Sequence, residues 1–252
     1  MAIDLAYLGE RLPGRRIEWF SSIGSTMAEA ARLAAQGAGH GTAVGAEEQT
    51  AGIGRYGRHW HSEPDTGIYM SVLLRIPFGA ETLPLVTLAL GLAVAESIHK
   101  TTDLACDLRW PNDVLIGGRK CCGILTQLEP PVIIAGIGIN VNHSAFPPEI
   151  ANLATSLRLA GGRTYAREPI IAELLPAIDA YCGLLETQGR DPILRMFTQA
   201  SSYASGRRVE VDQGSSVLRG VTAGLNSAGF LLVRDDHGKL HQIIAGGVRP
   251  CS

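Results

Sequence analysis

Residues 109–123, RWPNDVLIGGRKCCG, place an aspartate, a lysine and two arginines around a Gly-Gly pair. Pro111 restricts the residue before it and leads the chain into a polar Asn112-Asp113 corner. Residues 114–116 and 119–122 then read as two short strands joined by Gly117-Gly118, a strong two-residue hairpin signal. In that register Asp113 faces Cys122 and Leu115 faces Lys120. Asp113 and Lys120 become diagonal neighbours on one face, about 7–8 Å apart. A gap of that size between anion and cation fits a phosphate or a metal-bound phosphate. The same residues equally describe an ion pair on a surface hairpin.

A second run, QTAGIGRYGRHW at residues 49–60, has three glycines, two arginines and almost no apolar bulk. Glycines let backbone amides approach an anion closely, and successive amides can form an anion-binding nest. Arg55 and Arg58 add planar, permanently charged forks suited to phosphate or carboxylate. A solvated surface loop is the alternative. Gly52, Gly54 and Gly57 also spell a literal GxGxxG. A dinucleotide fingerprint needs a strand before it, a helix after it and an acidic residue about 20 positions on. Residues 42–46 supply the strand. The polar stretch 59–66 and the β-rich IYMSVLLRI at 68–76 follow, so the required helix is missing and the Rossmann reading is rejected.

In this order the blocks resemble the biotin–protein ligase family. Ser25-Thr26 is similar to its Ser-Thr-Asn start, residues 49–58 to its Gly-Arg-rich ligand loop, and residues 109–113 to its KWPND block. Residues 119–125 are similar to its RKxxGIL block, and GIGINVN at 136–142 to the strand that follows. The resemblance covers nearly the whole chain. It implies an α+β fold with a mixed or antiparallel sheet and flanking helices over residues 1–204, then a small SH3-like barrel over 205–252. It implies an ATP-dependent ligase that forms biotinyl-5′-AMP and transfers biotin to a lysine of a biotin carboxyl carrier domain.

The site residues carried by that resemblance fall into three groups. Lys120, Arg55 and Asp113 are the catalytic candidates, with Asp113 as a ligand for Mg²⁺. Ser25, Thr26, Met27, Gln49, Gly52, Ile53, Gly54, Gly123 and Gly136 would contact biotin together with Arg55 and Lys120, through backbone at Ile53 and Gly54. Arg58, Asn112, Asn140 and Asn142 would join Arg55, Asp113 and Lys120 around ATP. Residues 143–157 correspond to the family segment that folds over the adenylate. Three departures stand out: Met27 replaces the family's Asn, Ile53 replaces an Arg, and Arg109 replaces the Lys of KWPND. Lipoate–protein ligases share a similar catalytic fold, so lipoylation is the alternative. A nucleotide-sequestering binding module is the non-enzymatic rival. The resemblance leaves a homodimer open.

Composition narrows the remaining possibilities. The chain has 252 residues, 46% hydrophobic content and a net charge of −2, with no basic excess to argue for nucleic acid or an anionic membrane. Its five cysteines show no CxxC spacing, and its seven histidines form no HExxH pattern. Vicinal Cys121-Cys122 reads as strand packing rather than a nucleophile. The N-terminus lacks a signal-peptide core, and the apolar stretch 83–98 reads as a buried helix, not a membrane span. A reducing cytoplasm is the expected address. About two dozen residues precede Ser25, too few for a DNA-binding domain, so a ligase without DNA-binding activity is expected.

The elements that must position these residues follow from periodicity and turn residues. Strands are expected at 16–20, 42–46, 68–76 and 132–141, and helices at 27–36, 81–100, 169–187 and 191–201. Thr26 and Glu29 form an expected capping box for the first helix, and Pro176 an expected kink in the third. Four further strands, at 208–211, 217–223, 230–234 and 240–245, have turn signals at 212–214, 226–229 and 235–238.

Overall fold

The computed structural model describes residues 2–77, 79–212, 214 and 216–251. A seven-stranded sheet contains β1 (Ile17–Phe20), β2 (Ala43–Ala46), β3 (Gly67–Leu74), β4 (Asp107–Arg109), β5 (Asp113–Ile116), β6 (Arg119–Glu129) and β7 (Val132–Asn140). Its order is β1-β2-β3-β7-β6-β5-β4. The β1–β2 pair is parallel, and the other neighbours are antiparallel. This is the mixed α+β sheet that the sequence implied.

Alternation along the central strands assigns their two faces. Ile68, Met70, Val72 and Leu74 of β3 join Ile133, Ala135, Ile137 and Ile139 of β7 in the main core. That face is covered by α3 (Leu83–Thr102), α5 (Arg167–Gln188) and α6 (Arg190–Gln199). By length and composition α3 could cross a membrane, yet two thirds of its apolar window lies buried inside the fold. Helix α5 runs unbroken through Pro176. On the other face, Val44, Leu73, Val132 and Ile134 pack against Ala30 and Leu33 of α2 (Thr26–Ala35). Two short helices, α1 (Leu5–Arg11) and α4 (Leu157–Gly161), and the three-residue β4 were not anticipated. Elements so short carry too few residues to show a period.

The start of α2 departs from the expected capping box. Ser25 is the N-cap and makes no side-chain cap bond. Gln49 caps the helix from outside instead, its Oε1 accepting from the Thr26 amide at 2.9 Å and the Thr26 hydroxyl at 3.0 Å. Glu29 pairs with Arg32 at 2.9 Å rather than reaching back to the cap.

A five-stranded antiparallel sheet follows, with β8 (Ser205–Asp212), β9 (Val217–Leu225), β10 (Leu231–Asp235), β11 (Leu240–Ile243) and β12 (Gly247–Pro250) in the order β11-β10-β9-β8-β12. Four strands were expected; β12, written GVRP, lacks the β-branched run that would have marked it. Of the 212–214 turn signal, Gln213 lies outside the described residues. Val209, Val211, Leu231, Val233, Ile243 and Val248 merge into the main core. The Trp110 indole nitrogen also donates to the Gly229 carbonyl at 2.8 Å, across that junction.

Glu47, at the end of β2, ties four parts of the chain together. Its Oε1 accepts from the Ile3 amide at 2.8 Å and the Trp19 indole at 2.9 Å. Its Oε2 pairs with Arg167 of α5 at 2.6 Å, and Arg167 also donates to the Gly67 carbonyl at 3.0 Å. Both side chains are buried. Removing one partner of such a pair strands the other charge in the interior. Glu47→Ala is expected to lower unfolding free energy by about 3–5 kcal/mol, read as a fall in the urea midpoint. A midpoint equal to wild type would remove this pair from the account of stability.

Candidate active site

The site lies on the α2 face of the sheet, where β7 side chains shrink. Val132 and Ile134 fill the space under α2, and Gly136, Gly138 and Asn140 follow on the same face. A Cβ on Gly136 would lie 2.8 Å from the Met27 sulfur, and one on Gly138 would lie 2.5–2.7 Å from the Trp60 indole. Gly123 of β6 pairs with Gly138, and its Cβ would meet Trp60 at 2.7 Å and the Lys120 Cε and Nζ at 2.9 Å. These glycines form a floor on which Met27, Trp60 and Lys120 lie flat.

Lys120 reaches that floor because β6 is irregular. Leu115 faces Lys120 as expected, but the register shifts between Val114 and Leu115, so Val114 faces Cys122 and Asp113 faces Gly123. Cys121 is the extra residue. A bulge of this kind lets side chains three apart share a face. Asp113 therefore does not face Cys122, and no phosphate-sized gap separates it from Lys120. Lys120 Nζ sits 2.5 Å from Asp113 Oδ1, and Arg109 Nη2 is 2.7 Å from Oδ2. The ammonium also lies 5.3 Å from the centre of the Trp60 ring. Burial opposes ionisation of Asp113, but the Lys120 and Arg109 charges outweigh it and hold the carboxyl below the usual aspartate range. Cys121 and Cys122 are fully buried, and burial raises the Cys122 thiol far above its ordinary value. As expected of packing residues, they offer no thiolate.

The segment after β7 secures Lys120 from the other side. The Lys120 amide donates to the Leu153 carbonyl at 2.8 Å, and the Thr155 amide donates to the Lys120 carbonyl at 2.9 Å. Asn140 donates to the Thr155 carbonyl at 3.1 Å.

Residues 49–60 fold over this floor as a tight hairpin. Trp60 donates to Gly52 at 2.9 Å and Gly54 donates to Arg58 at 2.7 Å, with Tyr56 and Gly57 at positive φ at the tip. The Gly54 amide is thus engaged within the loop. Arg55 points inward: Nη1 donates to Asn112 Oδ1 at 3.1 Å and to the Gly246 carbonyl at 3.4 Å. Tyr56 links to the same segment, its hydroxyl accepting from Gly246 N at 2.8 Å. Asn112 in turn holds the Ile124 carbonyl at 2.8 Å. Arg55, Asn112, Asp113, Lys120 and Trp60 therefore form one connected group.

Other expected residues divide between those the structure gathers and those it does not. Thr26 and Gln49 sit together at the head of α2, joined by Ser71 of β3, whose hydroxyl is 2.8 Å from that of Thr26. Ser25 is half-buried at the cap, whereas Ile53 and Arg58 are exposed on the loop. Asn142 is tied elsewhere: its amide donates to the Tyr165 carbonyl at 2.8 Å and accepts from the Tyr165 amide at 3.0 Å. That clamp accounts for two of the bonds its side chain can make. Trp60 and Ser71 were missed. The signal for Trp60 was present, because Gly123 and Gly138 sit in strands where no turn calls for glycine.

Lys120 on the glycine floor and Arg55 in the loop give this part of the sheet two fixed cations, which suit an anionic ligand. Residues 19–144 match the biotin/lipoate A/B protein ligase family. The chain is 34% identical over 232 residues to the bifunctional ligase/repressor BirA of Bacillus spizizenii, covering 89% of this chain and 71% of that protein. It is 32% identical to the biotin–[acetyl-CoA-carboxylase] ligase of Mycobacterium tuberculosis, covering 93% and 88%. The structure of the Aquifex aeolicus biotin protein ligase in complex with biotin and ATP superposes with a TM-score of 0.84 at 31% identity, covering 94% and 99%. The chain belongs to the biotin/lipoate A/B protein ligase family.

The lowered pKa of Asp113 has a definite sign. Stability that the triad contributes is present above the unfolded aspartate pKa and is lost as pH falls through the folded value. Asp113→Asn should destabilise the fold by about 3 kcal/mol at pH 7. The gap from wild type should close as pH drops below about 4, the ordinary aspartate value. Denaturant midpoints for both proteins between pH 7 and pH 3 measure this, and a pH-independent gap would count against the triad.

Proposed function

We propose that this ligase activates biotin with ATP and transfers it to a lysine of a biotin carboxyl carrier domain. In the first step a biotin carboxylate oxygen attacks the α-phosphorus of ATP. The bond to the bridging oxygen breaks, and pyrophosphate leaves. In the second, a neutral lysine amine of the carrier attacks the acyl carbon. The amide forms, AMP departs with the bonding electron pair, and the amine proton passes to solvent.

The observation that supports this most directly is Lys120 lying on Gly123 and Trp60, with Asp113 and Arg109 behind it. Two anions must meet in the first step, and charge builds on the α-phosphoryl oxygens. A cation fixed on that face stabilises this charge without reorganising during the reaction. Asp113 acts as a positioning residue that restrains Lys120. Arg55 lies where it can bear on the phosphoryl group, while Asn112 orients Arg55. Gln49, Thr26 and Ser71 supply hydrogen-bonding groups beside an otherwise apolar floor, which suits a ureido ring. The Met27 thioether lies over Gly136, where it would cover an apolar ring face. Ile53 and Arg58, exposed on the loop, lie at its outer side, and we assign them no ligand contact. Trp60 and the hairpin above it would keep water from a mixed anhydride that hydrolyses on contact.

The expectation of Mg²⁺ on Asp113 does not fit the residues present. That carboxylate already touches two cations, so a divalent ion there would meet two positive charges at contact distance. We assign Asp113 to Lys120, and Mg²⁺ supplied with ATP to oxygens of the nucleotide. We assign residues 205–252 to a C-terminal domain, whose Gly246 bonds Arg55 and Tyr56 of the loop. With five unpaired cysteines the chain suits a reducing cytoplasm.

Lys120→Ala should retain the fold and cut biotin-dependent pyrophosphate release by about 10²–10³-fold. An unaltered rate would overturn its role. Biotin and lipoate offered in parallel, with ATP and their carrier domains, separate the two acyl substrates. Incorporation of lipoate alone would transfer the assignment to the lipoate branch.

A further inference from the structure

A second cluster, just beyond the ligand loop, takes no part in the chemistry above. His61 and Glu63 follow Trp60 in sequence, and His143 lies three residues past the end of β7. Each offers one potential ligand atom, and the three atoms lie within 4.8 Å of one another. His143 is fully buried, while His61 and Glu63 are half-buried.

Hydrogen-bonding groups gather at one ring nitrogen of His143 and not at the other. Nε2 lies 3.1 Å from Thr66 Oγ1 and 3.1 Å from the Tyr69 hydroxyl. Thr66 donates its hydroxyl proton to the Glu63 carbonyl at 2.8 Å, and Tyr69 donates its own to the same carbonyl at 2.9 Å. A hydroxyl has one proton to donate. With both protons directed at that carbonyl, both oxygens accept at Nε2, and Nε2 carries the ring proton, the tautomer that a metal on Nδ1 requires. Nδ1 is left with a bare lone pair. That atom is sealed from solvent, and among the described residues it has no hydrogen-bond partner. The ring is also held flat against Phe146, with centroids 5.2 Å apart and planes 15° from parallel.

A buried acceptor without a donor is costly to a fold unless something else occupies its lone pair. An imidazole whose far nitrogen is protonated and bonded to oxygen is also how metal-binding histidines are oriented. We propose that His61, Glu63 and His143 bind a divalent transition ion of the zinc class, with a fourth position for water. Two imidazoles and a carboxylate form a recognised donor set for such an ion, and the nitrogens disfavour Mg²⁺. At bond lengths of about 2.0–2.1 Å, tetrahedral ligand atoms stand roughly 3.3 Å apart. Closing from 4.8 Å requires small rotations of His61 and Glu63, the two less buried members. The ion would tie the limb of the ligand loop carrying Trp60 to the strand end beyond Asn140. It would staple the site without entering the reaction, whichever acyl group is activated.

The test uses the full-length, tag-free chain after removal of metals, titrated with Co²⁺ and then Zn²⁺. One equivalent of Co²⁺ should produce a visible ligand-field spectrum that one equivalent of Zn²⁺ abolishes. His61→Ala and Glu63→Gln should each weaken binding by more than tenfold. Both replace half-buried side chains and leave the Glu63 carbonyl with its hydroxyl partners, and circular dichroism checks that they fold. Tyr69→Phe, which removes one acceptor from Nε2, should weaken binding by about 10–100-fold. Failure to bind Co²⁺ at equimolar metal would overturn the proposal, as would parental affinity in both His61→Ala and Glu63→Gln.

Discussion

Asp113 sits between Arg109 and Lys120 with one oxygen sealed from solvent, and the geometry of the site depends on that contact. A lysine on a flexible four-carbon stem would otherwise sample many rotamers above an open glycine floor. The carboxylate holds the ammonium over Gly123 and beside Trp60 before any ligand arrives, and Arg109 compensates the second carboxylate oxygen. The ordering cost is therefore met in folding rather than at the chemical step, which is the sense in which a charged site is preorganised. Under the proposed function, a substrate anion would compete with Asp113 for Lys120 instead of having to find it.

Glycine plays the complementary part. Gly123, Gly136 and Gly138 lie in regular strands, so their backbone conformation requires no special freedom. What they provide is the absence of Cβ atoms, which lets Trp60, Met27 and Lys120 approach the sheet. The loop above is tied down at several points: Gln49 at the head of α2, Arg55 at Asn112 and Gly246, and Tyr56 at Gly246. The C-terminal sheet thus reaches the loop tip and shares the main core. Ligand-face geometry and C-terminal packing are mechanically linked.

Much of this was legible in the sequence. Alternating apolar residues marked β3 and β7, Gly117-Gly118 marked the β5–β6 turn, and the ordered blocks marked the family. The errors have physical causes. A bulge at Cys121 changes which residues share a face, and nothing local to CCG announces an extra residue between paired strands. Thr26-x-x-Glu29 satisfies the capping-box pattern, but Gln49, distant in sequence, supplies the cap and takes the Thr26 hydroxyl. Asn142 stands in the right block, yet its amide is committed to the backbone of Tyr165. Each depends on a partner that only the folded chain brings near.

His143 extends that lesson to a site the sequence concealed altogether. The histidines are scattered, and 82 positions separate His61 from His143. Spacing therefore carried no metal signature. The information lies in the packing: the Thr66 and Tyr69 hydroxyls gather at Nε2 beside the Glu63 carbonyl, and Nδ1 is buried without a hydrogen-bond partner among the described residues. Glu63 thus takes part twice, through a carbonyl that meets both hydroxyls and through a carboxylate within 4.8 Å of the ligand atoms of His61 and His143. The loop limb carrying Trp60 is joined to β7 through these same residues. Whatever fixes the lone pair of Nδ1 consequently acts on the covering of the ligand face, by a route separate from Asp113 and Lys120.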